Sequence, residues 1–260
     1  MINGRYIIQK KIGEGRSKVF SIIDTEFPER EVAAKFLPYN SSFEEKQFFR
    51  DEYFTLQSLD HPNIIKPFEL GSVLIKDEED DEIEIGSPFI ILEYFNSVEL
   101  LNYNRLNDEK QLYSIIKQIC SVLFYLHQSN YIYYDLKAEN ILILEKENVP
   151  VIKLIDFGFA AKVFENENFA IRGTPNYLAP EIIKNESHDH RVDLYAFGVL
   201  LYKIVYNKFP HESSDELEIY KAHLEDEVEF GDCIYSKRII KVIEKLLKKS
   251  QYNYYPLIVL

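Results

Sequence analysis

Tyr134-Asp135-Leu136-Lys137-Ala138-Glu139-Asn140, followed by Asp156-Phe157-Gly158, is the pair of motifs from which the chain's architecture can be read. An Asp, a Lys two residues on and an Asn five residues on suit a loop that holds a nucleotide and a hydroxyl together. The Asp-Phe-Gly sixteen positions past that Asn can supply a second metal-binding carboxylate. Apolar strand-like runs flank both motifs.

Working back from this stretch, the first ~100 residues read as strand-rich. Tyr6-Ile7-Ile8, Val19-Phe20-Ser21-Ile22-Ile23 and Val32-Ala33-Ala34-Lys35-Phe36-Leu37 are short apolar runs divided by Gly or Pro signals. Phe48, Phe49, Glu52, Leu56 and Leu59 fall at helical spacing and predict a helix over 43–59, with Ser41 or Ser42 as N-cap. His61-Pro62-Asn63 ends it, since Pro cannot continue a helix. Asp77 to Glu84 reads as a solvated acidic turn before another strand, Phe89-Ile90-Ile91-Leu92-Glu93-Tyr94. From Asn107 the pattern turns helical. Leu112, Ile115, Ile116, Ile119, Val122, Leu123 and Leu126 make one apolar face. Further helices are expected near Val192–Val205, Asp215–Leu224 and Ser236–Lys249.

The composition narrows the function classes. The 260 residues are 46% hydrophobic and 28% charged, ordinary for a chain that buries a sizeable core. A net charge of −13 argues against nucleic acid or an anionic membrane surface as partner, and favours basic protein substrates weakly. Two cysteines, Cys120 and Cys233, show neither metal spacing nor a disulfide framework, so a reducing, cytoplasmic setting is expected. No apolar run approaches the ~20 residues that span a membrane. The six histidines lack ligand spacing, and His188 and His190 read as loop residues.

Together these motifs resemble the eukaryotic-type protein kinase family, its Ser/Thr-specific subgroup, over about Tyr6 to Tyr255. The resemblance implies a two-lobed α+β protein kinase fold in a single domain over 1–260. The N-lobe spans about 1–94 and the C-lobe about 97–260. It also implies ATP and Mg²⁺ as cofactors, and transfer of the γ-phosphate to Ser/Thr hydroxyls of protein substrates. Asp135 would act as base, Lys137 would steady the transferred phosphate, and Asn140 and Asp156 would hold Mg²⁺. Lys35 would meet the α and β phosphates, paired with Glu52. Ile12, Gly13, Glu14 and Gly15 match the phosphate-covering loop, and glycines there let backbone amides approach phosphate. Leu92, Glu93 and Phe95 match the connector, where the Glu93 carbonyl and the Phe95 amide would bond adenine. Ile12, Ala33, Leu142 and Val19 would sandwich the ring. Leu56, Phe157 and Tyr133 would stack in an apolar column. Gly173-Thr174-Pro175 and Ala179-Pro180-Glu181 match the end of the activation segment. Asp193 would brace the catalytic-loop backbone.

The chain also departs from that pattern. Arg16-Ser17-Lys18-Val19 supplies no third glycine. Either Lys18 replaces it, adding phosphate affinity, or the loop is one residue shorter and Val19 lies above the adenine. Tyr134 stands where an Arg usually binds an activation-segment phosphate, and it cannot do so as a fixed cation. Between Gly158 and Thr174 there is no Ser, Thr or Tyr. Receptor and phosphate acceptor are missing together, so activation is expected to run without segment phosphorylation. Glu181 usually pairs with a late Arg, and Tyr254 stands there. The apolar end Leu257-Ile258-Val259-Leu260 reads as a truncation or the start of something longer, with further domains or a regulatory partner. The alternative from another class is a pseudokinase, a nucleotide-binding scaffold without turnover. The retained Lys35, Glu52, Asp135, Lys137, Asn140 and Asp156 speak against it.

Overall fold

The computed structural model describes residues 1–77, 82–163 and 172–249. Most of the hydroxyl-free stretch before Thr174, and Tyr252, Tyr254 and Tyr255, lie outside that range. The chain divides into two compact units, Met1–Asn96 and Ser97–Leu260.

The first unit is built on a five-stranded antiparallel sheet: β1 (Tyr6–Glu14), β2 (Lys18–Asp24), β3 (Glu31–Phe36), β4 (Pro67–Ser72) and β5 (Pro88–Glu93). Its order is β1-β2-β3-β5-β4. Successive side chains in a strand face opposite ways, and partners across a ladder share a face. Phe20, Ile22, Val32, Ala34, Phe36, Phe89 and Ile91 therefore line one face, closed by Ile2, Val73 and Ile83. The other face carries the rows Val19–Lys35–Ile90 and Ser21–Ala33–Leu92. Helix α1 (Phe43–Gln57) packs on this second face, where Phe49 and Tyr53 join Leu37 and Ile90. Ser42, one of the two expected caps, begins α1 with a capping box: its hydroxyl accepts from Glu45 N and Glu45 Oε2 accepts from Ser42 N. The helix ends at Gln57, two residues before Leu59.

In the second unit, β6 (Val98–Glu99), β8 (Ile141–Lys146) and β9 (Val149–Leu154) form a small sheet, and β7 (Tyr131–Ile132) pairs with β10 (Ala161–Lys162). Helix α2 (Glu109–Gln128) buries all seven residues of the expected apolar face. After short α3 (Pro180–Ile183) comes α4 (Arg191–Tyr206), buried continuously from Val192 to Tyr202, so it is the centre of the unit. Two further helices, α5 (Glu216–Glu225) and α6 (Lys237–Leu246), follow. Helix α6 lies against Gly198 of α4 so closely that a Cβ there would stand 2.7 Å from Leu246 Cβ, which fixes glycine at that position.

Candidate active site

In the first unit, Glu14 and Lys18 close the β1–β2 hairpin as Cα partners, and Gly15, Arg16 and Ser17 turn between them. Gly15 N donates to Ser17 O at 3.1 Å. Val19 lies opposite Gly13 on one side and Lys35 on the other, so it shares the face of Lys35 and Ala33. Ile12 falls where the ladder slips between Lys11 and Gly13, and it is exposed. An extra residue at a bulge redirects its side chain. Neither glycine is demanded by internal packing. A Cβ on Gly15 would meet nothing within 4 Å, and one on Gly13 would make ordinary contact with Val19.

Lys18 is tied to the acidic run. Its Nζ donates to the Glu82 carbonyl at 3.0 Å, while Lys11 Nζ meets Glu82 Oε2 at 2.8 Å. The acidic run expected to be a solvated turn thus reaches the hairpin through Glu82; residues 78–81 lie outside the described range. The Glu82 carboxyl is held below its usual range, first by Lys11.

Lys35 and Glu52 meet as the family resemblance implies. Lys35 Nζ donates to both Glu52 oxygens, at 2.7 and 2.8 Å, and the Glu52 side chain is only 4% exposed. Strand β3 and helix α1 carry the two partners, so the pair joins sheet to helix. Leu92 and Glu93 end β5. Glu93 N donates to Lys66 O at 2.8 Å, and Tyr94 N donates to Glu31 O at 3.0 Å, which ties down the start of the connector leading to Phe95. Leu56 is buried within this unit.

In the second unit the chain from Tyr133 to Asn140 folds around Asp193. Its carboxylate, fully buried, accepts from Tyr133 N at 3.0 Å and Tyr134 N at 2.9 Å. His127, which nothing in its local sequence singles out, meets the same carboxylate at 2.9 Å and stacks on His190. The clamp offsets the cost of a left-handed backbone at Tyr134, φ 67°. The Tyr133 ring meets Phe157 edge-on with centroids 5.0 Å apart, and its hydroxyl donates to Ile155 O.

Asp135 is 2% exposed and its two oxygens are unequally used. Oδ2 accepts from Asn140 Nδ2 at 2.8 Å and pairs with Lys137 Nζ at 2.7 Å. Oδ1 accepts from Thr174 Oγ1 at 2.7 Å, and Lys137 Nζ also donates to Thr174 Oγ1 at 3.0 Å. Thr174 thus belongs to the site itself. In sequence Thr174 only matches the end of the activation segment, because nothing local reveals a contact spanning 39 residues.

Asn140 and Asp156 offer amide and carboxylate oxygens, the hard donors Mg²⁺ prefers. Ile155 N donates to Asn140 O at 2.9 Å, tying their backbones together, and Asp156 is exposed with φ 60°. Among the described residues no group of three or more His, Cys, Asp or Glu forms a cage. Mg²⁺ often binds through one or two carboxylates plus substrate phosphates, so this set fits it. Leu142 is half-buried, on the face of β8 opposite buried Ile141 and Ile143. Glu181, 3% exposed, has Oε1 without a hydrogen-bond partner among the described residues, and burial raises its carboxyl above the usual range.

Comparison with known proteins agrees with this arrangement. A family model described as "Protein kinase domain" matches residues 6–253. The chain is 33% identical over 207 residues to calcium-dependent protein kinase 5 of Plasmodium berghei, covering 78% of this chain and 35% of that protein. It is 30% identical over 234 residues to the serine/threonine-protein kinase PrkC of Bacillus subtilis, with 87% and 34% covered. Against serine/threonine-protein kinase ATG1a of Arabidopsis thaliana it is 30% identical over 229 residues, with 86% and 35% covered. The chain therefore spans about a third of the length of these curated relatives. With the family model matched along almost all of its length, this chain belongs to the protein kinase domain family.

Proposed function

We propose that the chain transfers the γ-phosphate of ATP to Ser or Thr hydroxyls of protein substrates. The observation that carries this is the wiring of Asp135. A carboxylate offers about four acceptor sites. On Oδ2, Asn140 and Lys137 take both; on Oδ1, Thr174 takes one. Among the described residues nothing takes the other lone pair of Oδ1, which is left for the incoming hydroxyl. That hydroxyl's oxygen forms the new bond to the γ-phosphorus and the bond to the β–γ bridging oxygen breaks. Its proton passes to Asp135 Oδ1.

Lys35, steadied by Glu52, would set its ammonium against the α and β phosphates, and Lys137 would offset charge on the moving phosphoryl group. Asn140 and Asp156 would hold Mg²⁺, which when bound neutralises charge on the phosphate oxygens. Gly13 and Gly15 leave room for backbone amides to approach phosphate. Ile12, Val19, Ala33 and Leu142 would supply apolar contact to the base, with Glu93 and Phe95 its backbone partners. The negative net charge favours substrates with basic residues near the acceptor. Activity would not depend on phosphorylation of the activation segment, which has no hydroxyl residue between Gly158 and Thr174.

The test is γ-labelled ATP with Mg²⁺ and a basic protein acceptor, followed by phosphoamino-acid analysis and phosphopeptide mapping of the enzyme. Phosphoserine or phosphothreonine in the acceptor, with Thr174 unmodified, is expected. Phosphotyrosine alone, or no transfer, would overturn the reading; stoichiometric phosphate on Thr174 in the active enzyme would overturn the activation claim.

A further inference from the structure

Three separated parts of the second unit meet at one ring. Tyr134 is 6% exposed, and its phenol lies 3.1 Å from His188 Nε2. The polarity of that bond can be deduced. His188 Nδ1 sits 2.9 Å from the Glu186 carbonyl, which can only accept, so Nδ1 carries the proton. In the neutral ring Nε2 then accepts, and the Tyr134 hydroxyl donates to it. The Arg172 guanidinium lies 5.9 Å from the Tyr134 ring centroid, within cation–π range. Next to it, Gly173 has φ 118° and passes so close that a Cβ would stand 2.7 Å from the Tyr134 carbonyl oxygen. The following residue is Thr174, whose hydroxyl reaches Asp135.

Packing alone would be served by Phe at this position. The hydroxyl adds a directed bond to a loop 54 residues away, and the ring adds a seat for Arg172. We propose that Tyr134 is a positioning residue for the end of the activation segment. Through His188 and Arg172 it holds residues 172–178 so that Thr174 stays on Asp135, with uncharged and cation–π contacts and no added phosphate. The catalytic consequence rests on the kinase reading above; the positioning itself does not.

The experiment compares the full chain with Tyr134→Phe, His188→Ala and the double variant. It measures KM and kcat for a basic protein acceptor and for ATP, and the exchange protection of the Tyr177 and Leu178 amides. Those amides donate to Thr174 O and Pro175 O. Each single change is expected to lower kcat/KM for the acceptor and the amide protection by about five-fold, the scale of one hydrogen bond. The double variant should lose no more than either single, because both break the same bond. KM for ATP should stay put, whereas a general packing defect would move both KM values and the thermal midpoint. Protection and kinetics equal to wild type in Tyr134→Phe, or losses that multiply in the double variant, would overturn the proposal. A chain that transfers no phosphate would sink the kinase reading, and the exchange measurement would still decide the role of Tyr134.

Discussion

Lys35 meets Glu52 at 2.7 Å in the first unit, and Lys137 meets Asp135 at 2.7 Å in the second, yet the two pairs are held differently. Lys35 Nζ donates to both Glu52 oxygens, and the partners ride on separate elements, a strand and a helix. Asp135 divides its oxygens among Lys137, Asn140 and Thr174, two of which lie within five residues of it. Asp193 fixes the backbone just before it. The first pair therefore follows wherever α1 sits against the sheet. The second is set by local chain geometry and over-determined by its neighbours. A lysine–carboxylate pair can thus be an adjustable contact between two elements or a fixed one within a single loop, depending on how far apart the chain places the partners.

The largest effect should come from breaking the fixed pair. Asp135→Asn removes the proposed base while keeping the shape, and kcat should fall about 10³-fold with KM for ATP little changed, read from steady-state kinetics. Asp193→Asn replaces a carboxylate with one acceptor oxygen and leaves a buried donor unpaired. Chemical denaturation should show a loss of about 1–3 kcal/mol. Glu52→Gln probes the adjustable pair and should be milder on the chemical step. It should raise KM for ATP about ten-fold, since Lys35 keeps an acceptor but loses the negative charge of Glu52. If Glu52→Gln proves as damaging to kcat as Asp135→Asn, the contrast between the pairs is wrong.

A second contrast lies inside the second unit, between buried groups of opposite charge type. Burial holds His223 at about 3, far below its ordinary 6.5. Its stability contribution is complete above pH 6.5 and is lost as pH falls toward 3, because only the unfolded chain takes the proton. The limiting slope is about 1.4 kcal/mol per pH unit, and His223→Gln should flatten acid unfolding over that window. Glu181 runs the other way. Its raised carboxyl favours folding at low pH, and that contribution disappears as pH rises from its ordinary 4.5 through the raised value. Glu181→Gln should stabilise the chain at neutral pH by about 1 kcal/mol, the smallest effect, measured by thermal or denaturant unfolding.

What the sequence made legible was local. Asp135, Lys137 and Asn140 stand within a few consecutive positions, so the contacts among them are near at hand in the sequence. The apolar face of α2 was readable because helical periodicity repeats Leu112, Ile115 and Ile119 on one side, and Ser42 with Glu45 marks the start of α1 within a single turn. Contacts that close only through tertiary folding were not legible. Glu82 reaches Lys18 across 64 residues, and a run of acidic residues looks solvated until the hairpin's lysines are placed beside it. His188 looked like an ordinary loop histidine because Tyr134, its partner, is far off in sequence. His127 was silent for the same reason, since Asp193 lies 66 residues later. Helix ends were misread by a few residues: Leu59 keeps the spacing of α1 but lies past its last turn, where Ser58 already caps.

The most direct measurement of the central claim is γ-labelled phosphate transfer from ATP with Mg²⁺ to a basic protein, run in parallel on this chain, Asp135→Asn and Lys35→Met. Transfer by the unmodified chain is expected, lost in both variants, while both remain folded by thermal melting. Transfer that persists in Asp135→Asn, or an unmodified chain that binds ATP and transfers nothing, would contradict it.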